Sequence, residues 1–246
     1  LRKLTKGDAP DTTQMNTRVA KMVEEAIQAD GVTEIFTLEK DTQRLEQDIF
    51  SDEYLERINR IPMVNTKIKI LQRLLKNAID EYRKVNKMKG VDFTDRMNAV
   101  VELYNARRKD KAFANEVLDD VAEQLTKLLE ELGKDKRSFE ELNISFEEKA
   151  FFDILEALAK KYGFYDEYIE KYGQEHLLNL AKDIKSIVDD KAKYAAWSAR
   201  EDIKAELKVN IILKLAEYKY PPVTQDEVYK EVLEQAENFR KYSERS

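Results

Sequence analysis

Apolar side chains recur at three- and four-residue spacing along almost the whole chain, the pattern of one-sided helices rather than of alternating strands. The first such stretch runs from about Thr13 to Ala29, with Met15, Val19, Met22, Val23 and Ile27 on one side and Gly31 as its stop. Val32 to Thr37 is β-branched enough for a strand, but a lone strand has no partner, so a helix from about Thr33 to Phe50 is the better reading. Ser51 or Asp52 caps a short helix ending before Pro62. The clearest pattern follows, from an Asn65 cap to Met88 before Gly90, with Leu71, Leu74, Leu75, Ala78, Tyr82 and Val85 in one arc. Thr94 caps a helix carrying Met97, Val100, Val101 and Tyr104. Another runs from about Glu116 to Leu132 and stops at Gly133.

Residues 134–144 read as a connection. Ser145, with Glu148 three residues on, spells a capping box for a helix that buries Phe151, Ile154, Leu155 and Leu158 and ends at Gly163. Helices over about Gln174–Asp189 and Ser198–Tyr218 come next, the second with Ile203, Leu207, Ile211 and Leu215 in register. Pro221-Pro222 forces a stop. Thr224 and Glu227 spell a second capping box for a last helix with Val228, Val232, Ala236 and Phe239 inside. The fold class that emerges is all-α, an irregular multi-helix bundle of roughly eight to ten helices.

Composition supports that picture. Among 246 residues there are only 6 glycines and 4 prolines, too little turn punctuation for a sheet fold. The chain is 37% charged but 42% hydrophobic, enough apolar content for a real core. Zero cysteines exclude a disulfide scaffold, a thiol nucleophile and a thiolate zinc site. No run of eighteen apolar residues and no signal-peptide pattern occurs, so the expectation is a soluble, cytoplasmic protein with no membrane partner. The chain starts at Leu1 in a polar stretch and reads as a piece excised from a longer protein.

The sequence holds little catalytic chemistry. No G-x-x-x-x-G-K-[ST] and no G-x-G-x-x-G is present, so the usual backbone cradle for ATP phosphates is missing. Pro10-Asp11 and two E-x-K triplets (147–149 and 217–219) match the letters of a metal-dependent nuclease, but the triplets sit on predicted helices and such triplets arise by chance at this charge content. His176 is the single histidine, against the two that a H-E-x-x-H zinc site needs, and reads as a structural residue. Trp197, the one tryptophan, reads as an anchor packing a loop on the core, with a partner-facing hot spot as the alternative. With Pro221 and Pro222 it completes the set of structural anchors.

Charge is distributed more tellingly than its net of -6 implies. From Arg57 to Lys89 there are ten basic and two acidic residues, and from Glu116 to Glu148 eleven acidic and four basic. On the 65–88 pattern, Lys69, Arg73, Lys76, Arg83, Lys84 and Lys87 fall opposite the leucines. Three readings of this face stay open: solvated or internally paired cations, an acidic protein partner, and the phosphate backbone of a nucleic acid, which needs cations but no fixed geometry.

Several stretches resemble the C-terminal helical domain of type I restriction enzyme R subunits. They are Asn65-Thr-Lys-Ile-Lys, Asn77-Ala-Ile-Asp-Glu-Tyr, Asp92-Phe-Thr-Asp-Arg-Met, Trp197-Ser-Ala-Arg-Glu-Asp-Ile-Lys, Leu215-Ala-Glu-Tyr-Lys-Tyr-Pro-Pro and Glu231-Val-Leu-Glu-Gln-Ala-Glu. The resemblance covers roughly residues 50–108 and 145–243; residues 1–50 and 110–144 carry no match. It implies a non-catalytic docking or assembly domain. The parent would be an ATP-dependent DNA translocase and endonuclease of DNA restriction, using ATP and Mg²⁺ outside this region and working with modification and specificity subunits. It also implies a division into a polar opening segment, 1–50, leading from an upstream motor, and a helical domain, 51–246, with a sub-boundary near 133–145. Two alternatives remain: a helical module that binds the nucleic-acid backbone directly through the basic face, and an unrelated helical scaffold for protein interactions.

Overall fold

The computed structural model of the chain describes residues 49–106, 114–193 and 197–243. Nine α-helices, two short 3-10 turns and no strand are found among them. The helices are α1 (Asp52–Asn59), α2 (Val64–Val85), α3 (Lys87–Ala106), α4 (Ala114–Glu141), α5 (Phe146–Lys161), α6 (Tyr165–Tyr172), α7 (Gln174–Ala192), α8 (Glu201–Glu217) and α9 (Gln225–Ser243). The protein is therefore an all-α multi-helix bundle, as the periodicity predicts. The helices read over 13–29 and from 33 onward fall outside the described residues, except that Ile49 and Phe50 form a buried turn before α1.

The helix ends obey local chemistry. The Ser51 side chain accepts from the Tyr54 amide at the start of α1. At α5 the capping box forms: Glu148 N–H donates to Ser145 Oγ at 3.1 Å and Ser145 N–H to the Glu148 carboxylate at 2.6 Å. Three helices close with paired terminal bonds around a left-handed residue. After α5, Gly163 has φ 75 and Phe164 N–H reaches Ala159 O. After α4, Asn143 has φ 52 and Ile144 N–H reaches Phe139 O. After α8, Lys219 has φ 57 and Tyr220 N–H reaches Leu215 O.

The chain divides into two compact units. The first runs through Arg83 and resumes from Gly90 to Ser138; the second takes Lys84–Lys89 and everything from Phe139. In the first, Leu71, Leu74, Leu75 and Ile79 of α2 meet Leu125, Leu129 and Leu132 of α4 in one core, with Phe93 and Val100 of α3. In the second, Phe151, Leu155 and Leu158 of α5 pack with Leu180 and Ile184 of α7, Leu207 and Ile211 of α8, and Val228 and Val232 of α9. Burial of this kind supplies the main driving force for each unit.

Several sequence expectations are corrected. Gly133 does not stop α4, which runs on to Glu141 and absorbs most of the stretch read as a connection. At Gly133 a Cβ would lie 2.8 Å from the Phe50 ring, so the glycine serves close packing, not termination. The helix read over 65–88 ends at Val85, and α3 starts at Lys87, before Gly90. Thr94 is inside α3, its hydroxyl donating to Gly90 O, and Asn65 is inside α2 rather than its cap, accepting from Tyr104 Oη. The two side chains of the second capping box are engaged elsewhere, Thr224 locally and Glu227 across the fold. Thr224 Oγ1 donates to Pro221 O, while the Glu227 carboxylate takes Lys161 Nζ and Tyr162 Oη. α6, which the periodicity did not mark, follows Gly163 and buries Tyr168.

Candidate nucleic-acid and partner interface

The six basic residues singled out in the sequence do not form one face. Lys69, Arg73 and Lys76 lie exposed on three successive turns of α2, opposite its buried Leu71, Leu74, Leu75 and Ile79. At 1.5 Å rise per residue they span about 10 Å of helix. No carboxylate stands within 4.0 Å of any of them among the described residues, although Arg96 in the same unit holds Asp92 and Glu131 and Lys127 holds Glu123. Asp80 lies exposed on the same side of α2 and forms no ion pair with Lys76. The acidic side chains of α4 do not neutralise this row. The exception to their separation is Lys67, whose amine feels Asp119, yet its pKa is lowered because burial outweighs that attraction. Lys67 and Asp119 line an open groove of about 440 Å³ with Asn59, Ile61, Glu123 and Lys127.

Arg83 is exposed farther along α2, its Cβ 2.6 Å from where a Cβ on Gly90 would stand. Lys84 and Lys87 are half-buried and belong to the second unit. Lys87 is not on α2 at all, because Asn86 breaks the helix, and its Nζ donates to Glu234 of α9. That correction has a clear cause in the side chains around the break. Gln235 Nε2 donates to Val85 O at 3.0 Å, while its Oε1 accepts from Lys87 N–H at 2.9 Å. Asn238 Nδ2 donates to Lys84 O at 2.9 Å, and Asn86 Oδ1 accepts from Lys89 N–H at 3.1 Å. Asn86 Nδ2 in turn donates to Asp153 at 2.6 Å, whose other oxygen is bound by Lys149. Two helix ends that would otherwise be left without partners are thus satisfied by amides from α9 and from the break itself. Sequence reasoning missed this corner; the available signal was Gln235, a polar amide between Val232 and Phe239 on an otherwise apolar stripe.

Of the three residues read as structural anchors, Trp197 is buried, Pro221 is half-buried and Pro222 is exposed. Trp197 is 3% exposed in a 3-10 turn that packs against α8, not in an open loop before it. Pro221 and Pro222 shape the turn into α9, with Pro221 O accepting both the amide and hydroxyl of Thr224. His176 Nε2 lies 3.0 Å from Tyr218 O, and its ring stacks on Tyr172. The E-x-K letters are engaged otherwise: Glu147 pairs with Lys185, Glu148 caps α5, Lys149 pairs with buried Asp153, and Glu217 pairs with Lys214. No group of three or more His, Cys, Asp or Glu side chains among the described residues is arranged to hold a metal ion. No helix among them is long and apolar enough to cross a membrane.

What these observations define is an all-α domain of two helical units whose described residues carry an exposed basic row with no acid in ion-pair contact and show no metal-binding constellation. The chain belongs to the family of C-terminal regions of type I restriction enzyme HindI endonuclease subunit-like proteins, whose family model matches residues 1–242. It is similar to the type I restriction enzyme HindI endonuclease subunit of Haemophilus influenzae, 26% identical over 229 residues, covering 93% of this chain and 20% of that protein. It is also similar to a Methanocaldococcus jannaschii protein provisionally named as the MjaIXP endonuclease subunit of a type I restriction enzyme, 23% identical over 197 residues, covering 79% of this chain and 17% of that protein. The chain thus spans about a fifth of the length of the curated relatives it matches. No solved structure matches it.

Proposed function

We propose that this chain is the helical docking and assembly domain of a type I restriction endonuclease R subunit. The full-length subunit is then an ATP-dependent DNA translocase and endonuclease acting in restriction with modification and specificity subunits. The observation that carries the reading is the row Lys69, Arg73 and Lys76: three exposed cations on successive turns, opposite the core and, among the described residues, in no ion pair. Folding of α2 does not need their charge, so they are available to an acidic surface of the assembly. The same row favours a second reading, direct contact with DNA phosphates, for which cations in a line suffice.

Replacing all three with Gln in the full-length subunit tests both. The melting temperature should stay within a few degrees of the parent, because exposed side chains away from the core contribute little. Assembly with the partner subunits should weaken most at low salt, with the difference fading as salt screens the charges beyond about 8 Å. Under the second reading the isolated chain binds duplex DNA, and the substitution flattens its salt dependence by roughly 0.9 for each phosphate that is no longer neutralised. Unchanged assembly and unchanged DNA binding across the salt series would show that the row is merely solvated.

A further inference from the structure

Helix α8 is apolar on two sides. Ile203, Leu207, Ile211 and Leu215 fill the core of the second unit, as the sequence register predicts. On the opposite side Ala205, Val209, Leu213 and Ala216 are exposed, Val209 at 55% and Leu213 at 62%, with Ile212 half-buried beside them. At 100° per residue these five fall within an arc of about 100°, and they extend along about 17 Å of helix. An apolar helix face is normally covered, so a helix with two such faces is expected to be covered on both.

The borders of the stripe say what kind of surface covers it. Glu206 and Glu217 flank one edge, and Lys204 and Lys208 the other. Each already holds a partner inside the second unit: Lys191 for Glu206, Lys214 for Glu217, Glu201 for Lys204 and Asp226 for Lys208. The rim charges are balanced by partners inside the unit, so the border carries no excess of either sign to draw a phosphate backbone or a charged peptide, and the stripe suits an uncharged apolar protein face. Its size narrows the choice further. One face of one helix is a patch on the order of a few hundred Å². A stable interface between separate chains needs about 800 Å² on each partner. A tethered surface needs far less, since a covalent linker holds the two sides at an effective concentration in the millimolar range. This domain matches about a fifth of its relatives' length, in a family defined by C-terminal regions, which leaves a long preceding portion of the same polypeptide to supply that surface.

We infer that the Val209–Leu213 stripe of α8 is the seat on which the preceding portion of the same subunit docks, fixing the helical domain to the rest of its own chain. The inference rests on membership of a longer endonuclease subunit and not on how that subunit meets its partners.

A photo-reactive benzoyl-phenylalanine placed at Leu213 of the full-length subunit, purified without partner subunits, tests it. Crosslinking within one chain, to a peptide N-terminal to this domain and independent of protein concentration, is the expected result. Crosslinks to a second copy that grow with concentration would overturn the proposal. So would crosslinks that need another subunit, or none at all. In parallel, paired Val209→Glu and Leu213→Glu substitutions should raise protease cleavage ahead of the domain at least tenfold without lowering the melting temperature of the isolated chain. Conservative Val209→Ile and Leu213→Met should behave as the parent. An unchanged cleavage rate for the paired Glu variant would also overturn it. Loss of the assembly role, seen if deleting the whole domain leaves the complex intact, would leave the intrachain crosslink standing, so the two conclusions fail separately.

Discussion

At the scale of single residues, the side chains that decide most are amides rather than acids or bases. Gln235 is 1% exposed and bridges two backbone groups across a helix break, donating to Val85 O and accepting from Lys87 N–H. Leucine has nearly the same volume and can do neither. Gln235→Leu should therefore leave two half-buried groups without their partner, at roughly 1 kcal/mol each. Urea unfolding of the isolated chain reads the loss, and amide exchange at Lys87 should rise together with it. Stability equal to that of the parent would mean that water satisfies the corner, and Gln235 would then be only a filler. Buried Asp153 acts in the same network. Its carboxylate is bound by Lys149 and Asn86, so its charge is compensated where an unpaired one would be costly. Glu156, on the same helix, shows a related balance: burial pushes its pKa up, yet hydrogen bonds from Lys160 and Tyr165 outweigh that and hold it below the usual carboxylate value.

At the scale of elements, two positions illustrate opposite demands on the backbone. α3 folds back on α2 so closely that a Cβ on Gly90 would stand 2.6 Å from Arg83 Cβ and 2.7 Å from its Cα. Alanine is the better helix former by roughly 1 kcal/mol, but the contact is with backbone and cannot yield cheaply. Gly90→Ala should destabilise by about 1–3 kcal/mol despite its propensity gain. Lys219 presents the reverse case. It closes α8 with φ 57, a region that costs residues with a Cβ about 1 kcal/mol. Lys219→Gly should therefore stabilise, by roughly 0.5 kcal/mol once the greater freedom of glycine in the unfolded chain is subtracted. Thermal melts of the two variants should move in opposite directions. A fall for Lys219→Gly would show that its side chain makes a contribution larger than the strain.

At the scale of the whole molecule, two closed cores account for the apolar periodicity of the described residues, and what they leave on the outside includes a basic row and an apolar stripe. Neither is chemical machinery. The sequence has no phosphate loop, and the E-x-K acids among the described residues are engaged in caps and ion pairs. The chain alone should turn over ATP no faster than a buffer blank in the presence of Mg²⁺, with or without duplex DNA, and should leave supercoiled plasmid uncut. Clear ATP hydrolysis by the purified chain would refute this.

The helix content and the sides of the helices that face inward were legible in the amino-acid sequence, because an apolar stripe at 3.6-residue spacing has few ways to be buried. The Ser51 cap, the Ser145–Glu148 box and the Gly163 stop were legible for the same local reason: each is decided within four residues. Lys69, Arg73 and Lys76 were placed outside correctly, since they oppose the leucines of their own helix. The break at Asn86 was not legible, because the groups that stabilise it come from Gln235 and Asn238, about 150 residues away in the chain. Gly133 and Gly90 read as stops in sequence. Inside helices they instead admit Phe50 and Arg83, contacts that no local pattern records. Thr224 and Glu227 had the letters of a cap but found partners at Pro221, Lys161 and Tyr162. Local periodicity determined most of the helical segments and which side of each is buried, and local chemistry determined the Ser51, Ser145 and Gly163 ends; where α2 breaks, how far α4 runs and which charges remain unpaired were decided by tertiary neighbours.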